Sequence, residues 1–332
     1  MPFLRERNGK LSPEKIIAFI GVLLPLGWLL WRALGGEFAG AFSGPPSLGG
    51  PGLGAPGLGG PGLGGPGLGG GGLGGGGLGG GGLGDGPALG ARPIVEVIRY
   101  IGEWTIRLLL ITLAVTPARR LFNWPKLLSA RRTLGVAAMS YVLIHFGLYI
   151  IDLNGDLAMV AREIVLRIYL TIGFIALVGL VALGSTSWDG AVQRLGSERW
   201  NQLHMLAYPI TALGILHFFM QQKLDVTEPT LMAGMFVWLM GWRIAQRFNR
   251  GTDSLALVVL ALASGVLTAL LEAGWYLAAT GVDPKLVLEA NLAFDYSIRP
   301  AWWIAGLGLA IALASRLALQ VRPLPARRPA RA

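Results

Sequence analysis

Residues 127–150 read LLSARRTLGVAAMSYVLIHFGLYI. Past Arg131 and Arg132 no acidic or basic side chain follows until Asp152, apart from His145 in the middle of the run. A bilayer core of about 30 Å is crossed by roughly 20 apolar residues of helix, so this stretch reads as a transmembrane helix entered at its arginines. A helix is required because lipid offers the backbone no hydrogen-bonding partner. With this span at 133–151, the pattern marks eight in all: 16–31, 104–115, 133–151, 164–183, 203–220, 231–241, 255–279 and 301–319, the second and sixth completed by polar flanks. Composition agrees: of 332 residues 53% are hydrophobic and 14% charged, where a soluble domain carries about 25% charged. The sequence therefore predicts an all-α integral membrane protein, a multi-helix transmembrane bundle of about eight helices. It contains no cysteine, which excludes disulfides, iron–sulfur clusters, cysteine zinc sites and covalent c-type haem attachment.

The net charge of +10 is explained by topology. Connections on one side of the predicted spans, with both chain ends, carry 19 Lys/Arg and 5 Asp/Glu, whereas the other side carries 9 and 13. The positive-inside rule makes the first side cytoplasmic, with both termini inside. No nucleic-acid partner is needed to account for the charge. The first span, with basic residues before it and Ala39–Ala41 after it, also has features of a signal peptide. Either reading leaves the downstream topology unchanged.

The chain divides at its composition shifts. Residues 1–34 form a cytoplasmic tail and the first span, and 35–92 a low-complexity linker on the outer side. Eight leucines from Leu48 to Leu83 recur there at every fifth position, and 30 of the 51 glycines of the chain fall in it. Collagen needs a period of three. A chain of this kind buries too little surface to offset its ordering entropy and is expected to be a disordered coil spanning roughly 40 Å. It reads as a tether, a sticky arm or a tolerated repeat expansion. Residues 93–250 form the main transmembrane domain, 251–320 two further helices, and 321–332 a basic cytoplasmic tail.

All three histidines, His145, His204 and His217, lie in apolar runs. An ionisable side chain within a membrane span is costly and points to function, although bonding to a neighbouring helix is the plainer alternative for any one of them. Depth sorts them. His145 lies thirteen residues beyond Arg132, about 20 Å up its helix, and His217 lies eighteen beyond Arg199, about 27 Å. His204 is only about 8 Å from the inner face. His145 and His217 thus share the outer half of the membrane. Two neutral imidazoles from facing helices at one level are what b-type haem needs for its two axial bonds. Gly214, one turn before His217, leaves room for a macrocycle. A zinc site would need more ligands than this level offers.

His204 is less determined. Its thirteen-residue spacing from His217 turns an ideal helix by about 220°, so the two would not share a face unless Pro209 alters the phase. A second haem site, a flavin contact and a quinone contact stay open for it. Arg107 is the other notable charge: Glu96, Arg99, Glu103 and Arg107 share one helical face. This is either an ion-pair ladder or a placement of Arg107 against a haem propionate.

Three stretches, GEWTIRLLLITLAVTPARRLFNWP (102–125), the 127–150 segment above and STSWDGAVQRLGSERWNQLHMLAYPITALGILHFF (185–219), resemble the haem-binding membrane subunits of the bacterial protein-methionine-sulfoxide reductase system, within the ferric-reductase-like transmembrane group. The likeness covers about 90–250; the Gly-Leu linker and the last two helices fall outside it. The resemblance implies haem b, with His145 and His217 at the family's haem-ligand positions and His204 at its third histidine, and it implies FMN. It further implies a multi-pass protein of the bacterial inner membrane. Such a protein would take electrons from the quinone pool or a cytoplasmic flavin reductase. It would pass them to a periplasmic molybdopterin-containing methionine sulfoxide reductase subunit that repairs oxidised proteins.

The residues themselves add one constraint. No βαβ pattern is present, the glycine-rich stretch is a pentapeptide repeat and not a phosphate loop, and the cytoplasmic loops are too short for a dehydrogenase module. No catalytic site for a substrate of its own is expected, so the chain needs a donor and an acceptor. The Arg119–Arg132 loop is a candidate contact for an anionic donor, or simply part of the positive-inside pattern. Two other readings stay open: a cytochrome that reduces ferric chelates or quinone directly, and a transporter or structural protein whose histidines relay protons or pack.

Overall fold

The computed structural model describes residues 12–35, 93–222, 225–295 and 297–322. The expected coil over 35–92, save its first residue, and the chain ends at 1–11 and 323–332 lie outside the described residues. Those described form helices and no strands: α1 (Pro13–Leu34), α2 (Pro93–Leu121), α3 (Ala130–Asp152), α4 (Leu157–Leu166), α5 (Ile168–Ser185), α6 (Asp189–Leu195), α7 (Ser197–His204), α8 (Ala207–Gln221), α9 (Thr227–Arg247), α10 (Ser254–Thr280), α11 (Pro284–Ala290) and α12 (Pro300–Val321). Seven stretches among them are long and apolar enough to cross a membrane. These are α1, α2, α3 with the 3-10 turn before it, α5, α7 with α8, α10 and α12. The sixth predicted span, α9, falls short of that hydropathy because polar residues occupy its ends, yet it packs against α2, α8, α10 and α12 as an eighth rod. The molecule is an all-α, multi-pass membrane protein.

Polarity is distributed as lipid demands. Leu24 is 66% exposed and Val165 79%, whereas Thr211, Thr230 and Thr268 are 0% exposed. In hydrocarbon, apolar side chains face outward at no cost and polar ones are kept inside. Two of these hydroxyls bond within their own helices: Thr211 Oγ1 donates to Ala207 O (2.7 Å) and Thr268 Oγ1 to Ser264 O (2.6 Å). α2 is the central element, contributing Leu113 and Leu121 to a core with α8, α9, α10 and α12, and Ile101 and Leu108 to a second core with α1, α3 and α5.

Two predicted spans are broken where the sequence reads as continuous. The fourth, expected over 164–183, divides at Arg167, whose backbone is extended (φ −115°, ψ 108°). The hydroxyl of Thr171 donates to Ile164 O (2.6 Å) across the gap, satisfying a carbonyl that the break strands. The fifth divides after His204, at the irregular pair Met205–Leu206. Pro209 then sits in the first turn of α8, where its missing N–H costs no helical bond. The proline thus starts a new helix instead of shifting the phase of a continuous one.

The last two spans are docked by small residues. A Cβ on Gly265 would lie 2.9 Å from the Ala305 Cβ, and one on Gly308 2.7 Å from the Ala261 Cβ, so α10 and α12 approach as closely as their backbones allow. At one end of α10 the carboxylate of Glu272, 1% exposed, accepts from Asn291 Nδ2 (3.0 Å) and Arg299 Nη1 (3.2 Å). Breaking a buried pair from one side strands a charge and costs about 3–5 kcal/mol. Arg299→Gln is therefore expected to lower the thermal midpoint in detergent by more than Glu272→Gln, which leaves its unpaired charge on Arg299, 30% exposed, instead of on the buried carboxylate.

Candidate functional site

His145 on α3 and His217 on α8 face each other across a cavity bounded by α2, α3, α5 and α8. Their ring centres are 6.5 Å apart and their planes stand at 87°. His145 Nδ1 lies 2.8 Å from Ile98 O, and His217 Nδ1 lies 2.7 Å from Tyr169 O. A carbonyl only accepts, so in both rings the proton is on Nδ1 and the lone pair of the neutral ring is left on Nε2. Fixing the far nitrogen in this way sets tautomer and aim together, as it does for metal-bound histidines.

Glycine makes that contact possible on both sides. A Cβ on Gly102 would lie 2.9 Å from His145 Cε1, and one on Gly173 2.7 Å from His217 Nδ1. Each glycine stands four residues beyond the carbonyl that holds the ring, at the position whose side chain would otherwise cover that carbonyl. Gly214 also lines the cavity, and a Cβ there would meet only Ile106 Cγ1, at 3.8 Å. The cavity has a volume of about 310 Å³, inside the range of cofactor sites, roughly 300–1,000 Å³.

The donor set suits an iron that brings its own equatorial ligands. Two metal–nitrogen bonds of about 2 Å each, with a ring radius beyond each nitrogen, place imidazole centres roughly 6 Å apart. A bare cation would need three or more ligands, and no group of three His, Asp or Glu side chains that could hold one occurs among the described residues. The residues present are those that could take haem.

The other two residues singled out by sequence lie elsewhere. Arg107 does not line this cavity. Its Nη2 contacts Glu228 Oε2 at 2.9 Å and Glu103 Oε2 at 3.2 Å, and its guanidinium lies 5.3 Å from the Trp104 ring centre. Of the two readings of Arg107, these contacts are those of the ion-pair ladder, with Glu103 one turn before it, extended by a pair that joins α2 to α9. His204 is likewise apart from the pair. Its ring stacks on Trp200 (3.8 Å between centres), Nδ1 lies 3.0 Å from Trp200 O and Nε2 3.2 Å from Ser187 Oγ. Both nitrogens are engaged. A second cavity beside it is lined by Arg131, Trp200 and Tyr208 among others.

Sequence reading missed the two carbonyls and the two glycine notches. Backbone acceptors leave no trace in side-chain identity. Gly102 and Gly173 did carry a signal, since glycine inside an apolar helix marks a close approach.

The family described as "Ferric reductase like transmembrane component" matches residues 101–215, a range that contains His145 and His204 but stops short of His217. The chain is 45% identical over 163 residues to the protein-methionine-sulfoxide reductase heme-binding subunit MsrQ of Xanthomonas campestris pv. campestris (strain 8004), covering 49% of this chain and 74% of the relative. The subunit of the same name from Xanthomonas axonopodis pv. citri is 42% identical over the same shares. That of Caulobacter vibrioides is 41% identical over 157 residues, 47% of this chain and 75% of the relative. No solved structure matches the chain.

Proposed function

The chain belongs to the MsrQ family of ferric-reductase-like membrane subunits, and from that premise we propose that it is a b-type cytochrome carrying electrons outward across the bacterial inner membrane. His145 and His217 are the axial ligands in this reading. One observation carries it: two rings from separate helices, each with Nδ1 bonded to a carbonyl, stand 6.5 Å apart. Haem bound there would supply a one-electron couple. The protein contributes two neutral nitrogens held in place before binding, a lining made mainly of apolar side chains, and helices that set the site's depth.

Direction follows from charge. With the basic connections inside, the histidine pair lies in the outer half of the bilayer, toward a periplasmic acceptor. The acceptor is a periplasmic molybdopterin-containing methionine sulfoxide reductase subunit, which would use the electrons to repair oxidised proteins. The donor is the quinone pool or a cytoplasmic flavin reductase. FMN, implied by the family likeness, is the second cofactor. Its candidate place is the inner-side cavity, lined by Arg131, Trp200 and Tyr208 among others, and a flavin assay on the purified protein tests for it.

The reading is tested by the dithionite-reduced spectrum of the purified full chain, which is expected to show a low-spin b-type α-band. His204→Ala should leave that band largely intact, because this ring lies on the other cavity with both nitrogens engaged. Loss of the whole band in His204→Ala with its survival in His217→Ala would reverse the assignment.

A further inference from the structure

Two arginines, Arg99 and Arg167, line the histidine cavity, and neither holds a ring. Their placement follows a repeated arrangement. On α2, Arg99 adjoins Ile98, whose carbonyl fixes His145, with Gly102 one turn on. At the other wall, Arg167 precedes Tyr169, whose carbonyl fixes His217, with Gly173 one turn on. Each imidazole is thus seated on a carbonyl with a glycine notch one turn on and an arginine within two residues, Arg99 just after Ile98 and Arg167 two before Tyr169.

The two cations differ in commitment. Arg167, at the extended break between α4 and α5, donates from Nη1 to Tyr169 Oη (3.0 Å) and pairs with Glu163. Arg99 makes no hydrogen bond or ion pair among the described residues. Acidic groups are also present, since Glu103 and Asp152 line the same cavity. Glu103 is neutralised from behind by Arg107 at 3.2 Å. Glu103 is the neighbour of Arg99 one turn away on α2, and its ion pair is made with Arg107.

We propose that Arg99 and Arg167 are anchors for ligand carboxylates, a pair of guanidinium forks that receive the two propionates of the porphyrin. This rests on the two-histidine reading above. An arginine fork matches a carboxylate with two parallel hydrogen bonds. Placing both forks beside the ring-holding carbonyls fixes the rotation of the macrocycle about the axis that the histidines leave free.

The test separates the two ideas. Full chain purified from haem-starved cells is titrated in detergent with haemin and with haemin dimethyl ester, whose propionates carry no charge. The expected result is that the wild type binds haemin roughly tenfold tighter than the ester. Arg99→Gln/Arg167→Gln should lose that preference while still giving a low-spin spectrum with both porphyrins. Equal affinity of the wild type for acid and ester, with low-spin spectra from both, overturns the anchors and leaves the histidine pair standing. No low-spin spectrum from either porphyrin overturns the histidine pair, and the anchors with it. If the double variant fails to fold, Arg99→Gln and Arg167→Gln are titrated singly, and a preference undiminished in both overturns the anchors.

Discussion

Alanine at His145 or at His217 is expected to remove the low-spin α-band completely, from a protein that is otherwise still inserted and folded. Each ring supplies one of two axial nitrogens, and nothing within the cavity replaces it. His204 is turned onto Trp200 and Ser187, and the sequence contains no fourth histidine. What the fold loses is small by comparison. One side chain-to-backbone hydrogen bond is given up, worth about 1 kcal/mol, and the carbonyls of Ile98 and Tyr169 lie within helices that already use them. Spectral loss should therefore be total while the yield of full-length protein in the membrane changes little. The measurement is a reduced-minus-oxidised spectrum normalised to protein, with pyridine haemochrome stoichiometry beside it.

The second large effect should come from a residue that touches no ligand. Gly173→Val adds a branched side chain where even a Cβ would stand 2.7 Å from His217 Nδ1 and 2.8 Å from its Cε1. Either the ring swings off Tyr169 O or α5 moves away from α8. Both outcomes undo the aim of Nε2, so the low-spin signal should be lost or converted to a high-spin one. Gly102→Val should act likewise through His145, where a Cβ would lie 2.9 Å from Cε1. Gly147 provides the control: it lies two residues after His145 on the same helix, and an added Cβ meets nothing within 4 Å. Gly147→Ala should leave the spectrum unchanged. Should valine at 173 and alanine at 147 behave alike, the notch has no part in holding the ring.

Much of this was legible in the sequence because the bilayer is a simple solvent. Its thickness fixes helix length, so the apolar runs around His145 and His217 announce spans, and counting rise from Arg132 and Arg199 puts the two rings in one leaflet. The same counting cannot see what interrupts a span. Arg167 sits among Ile164, Val165, Leu166 and Ile168, and only the structure shows the chain extended at that point. The sequence shows that Pro209 disturbs a helix but not that it begins one. Arg107 was readable as a cation in need of a partner. One partner, Glu103, lies on the same face one turn back, but the other, Glu228, is 121 positions away on a helix whose orientation no local pattern reveals. The seats of the two rings were the least legible, since a carbonyl has no letter of its own. Only the glycines opposite them, at 102 and 173, mark where a side chain would have been in the way.

The perpendicular rings make the central claim open to one direct measurement. Imidazole planes at 87° on a shared ferric iron give a strongly anisotropic low-spin electron paramagnetic resonance signal, unlike the rhombic signal of parallel planes. The oxidised, purified full chain is expected to show that anisotropic signal, and to lose it in either His145→Ala or His217→Ala. A spectrum containing only high-spin iron, or a low-spin signal that survives both substitutions, would contradict the account.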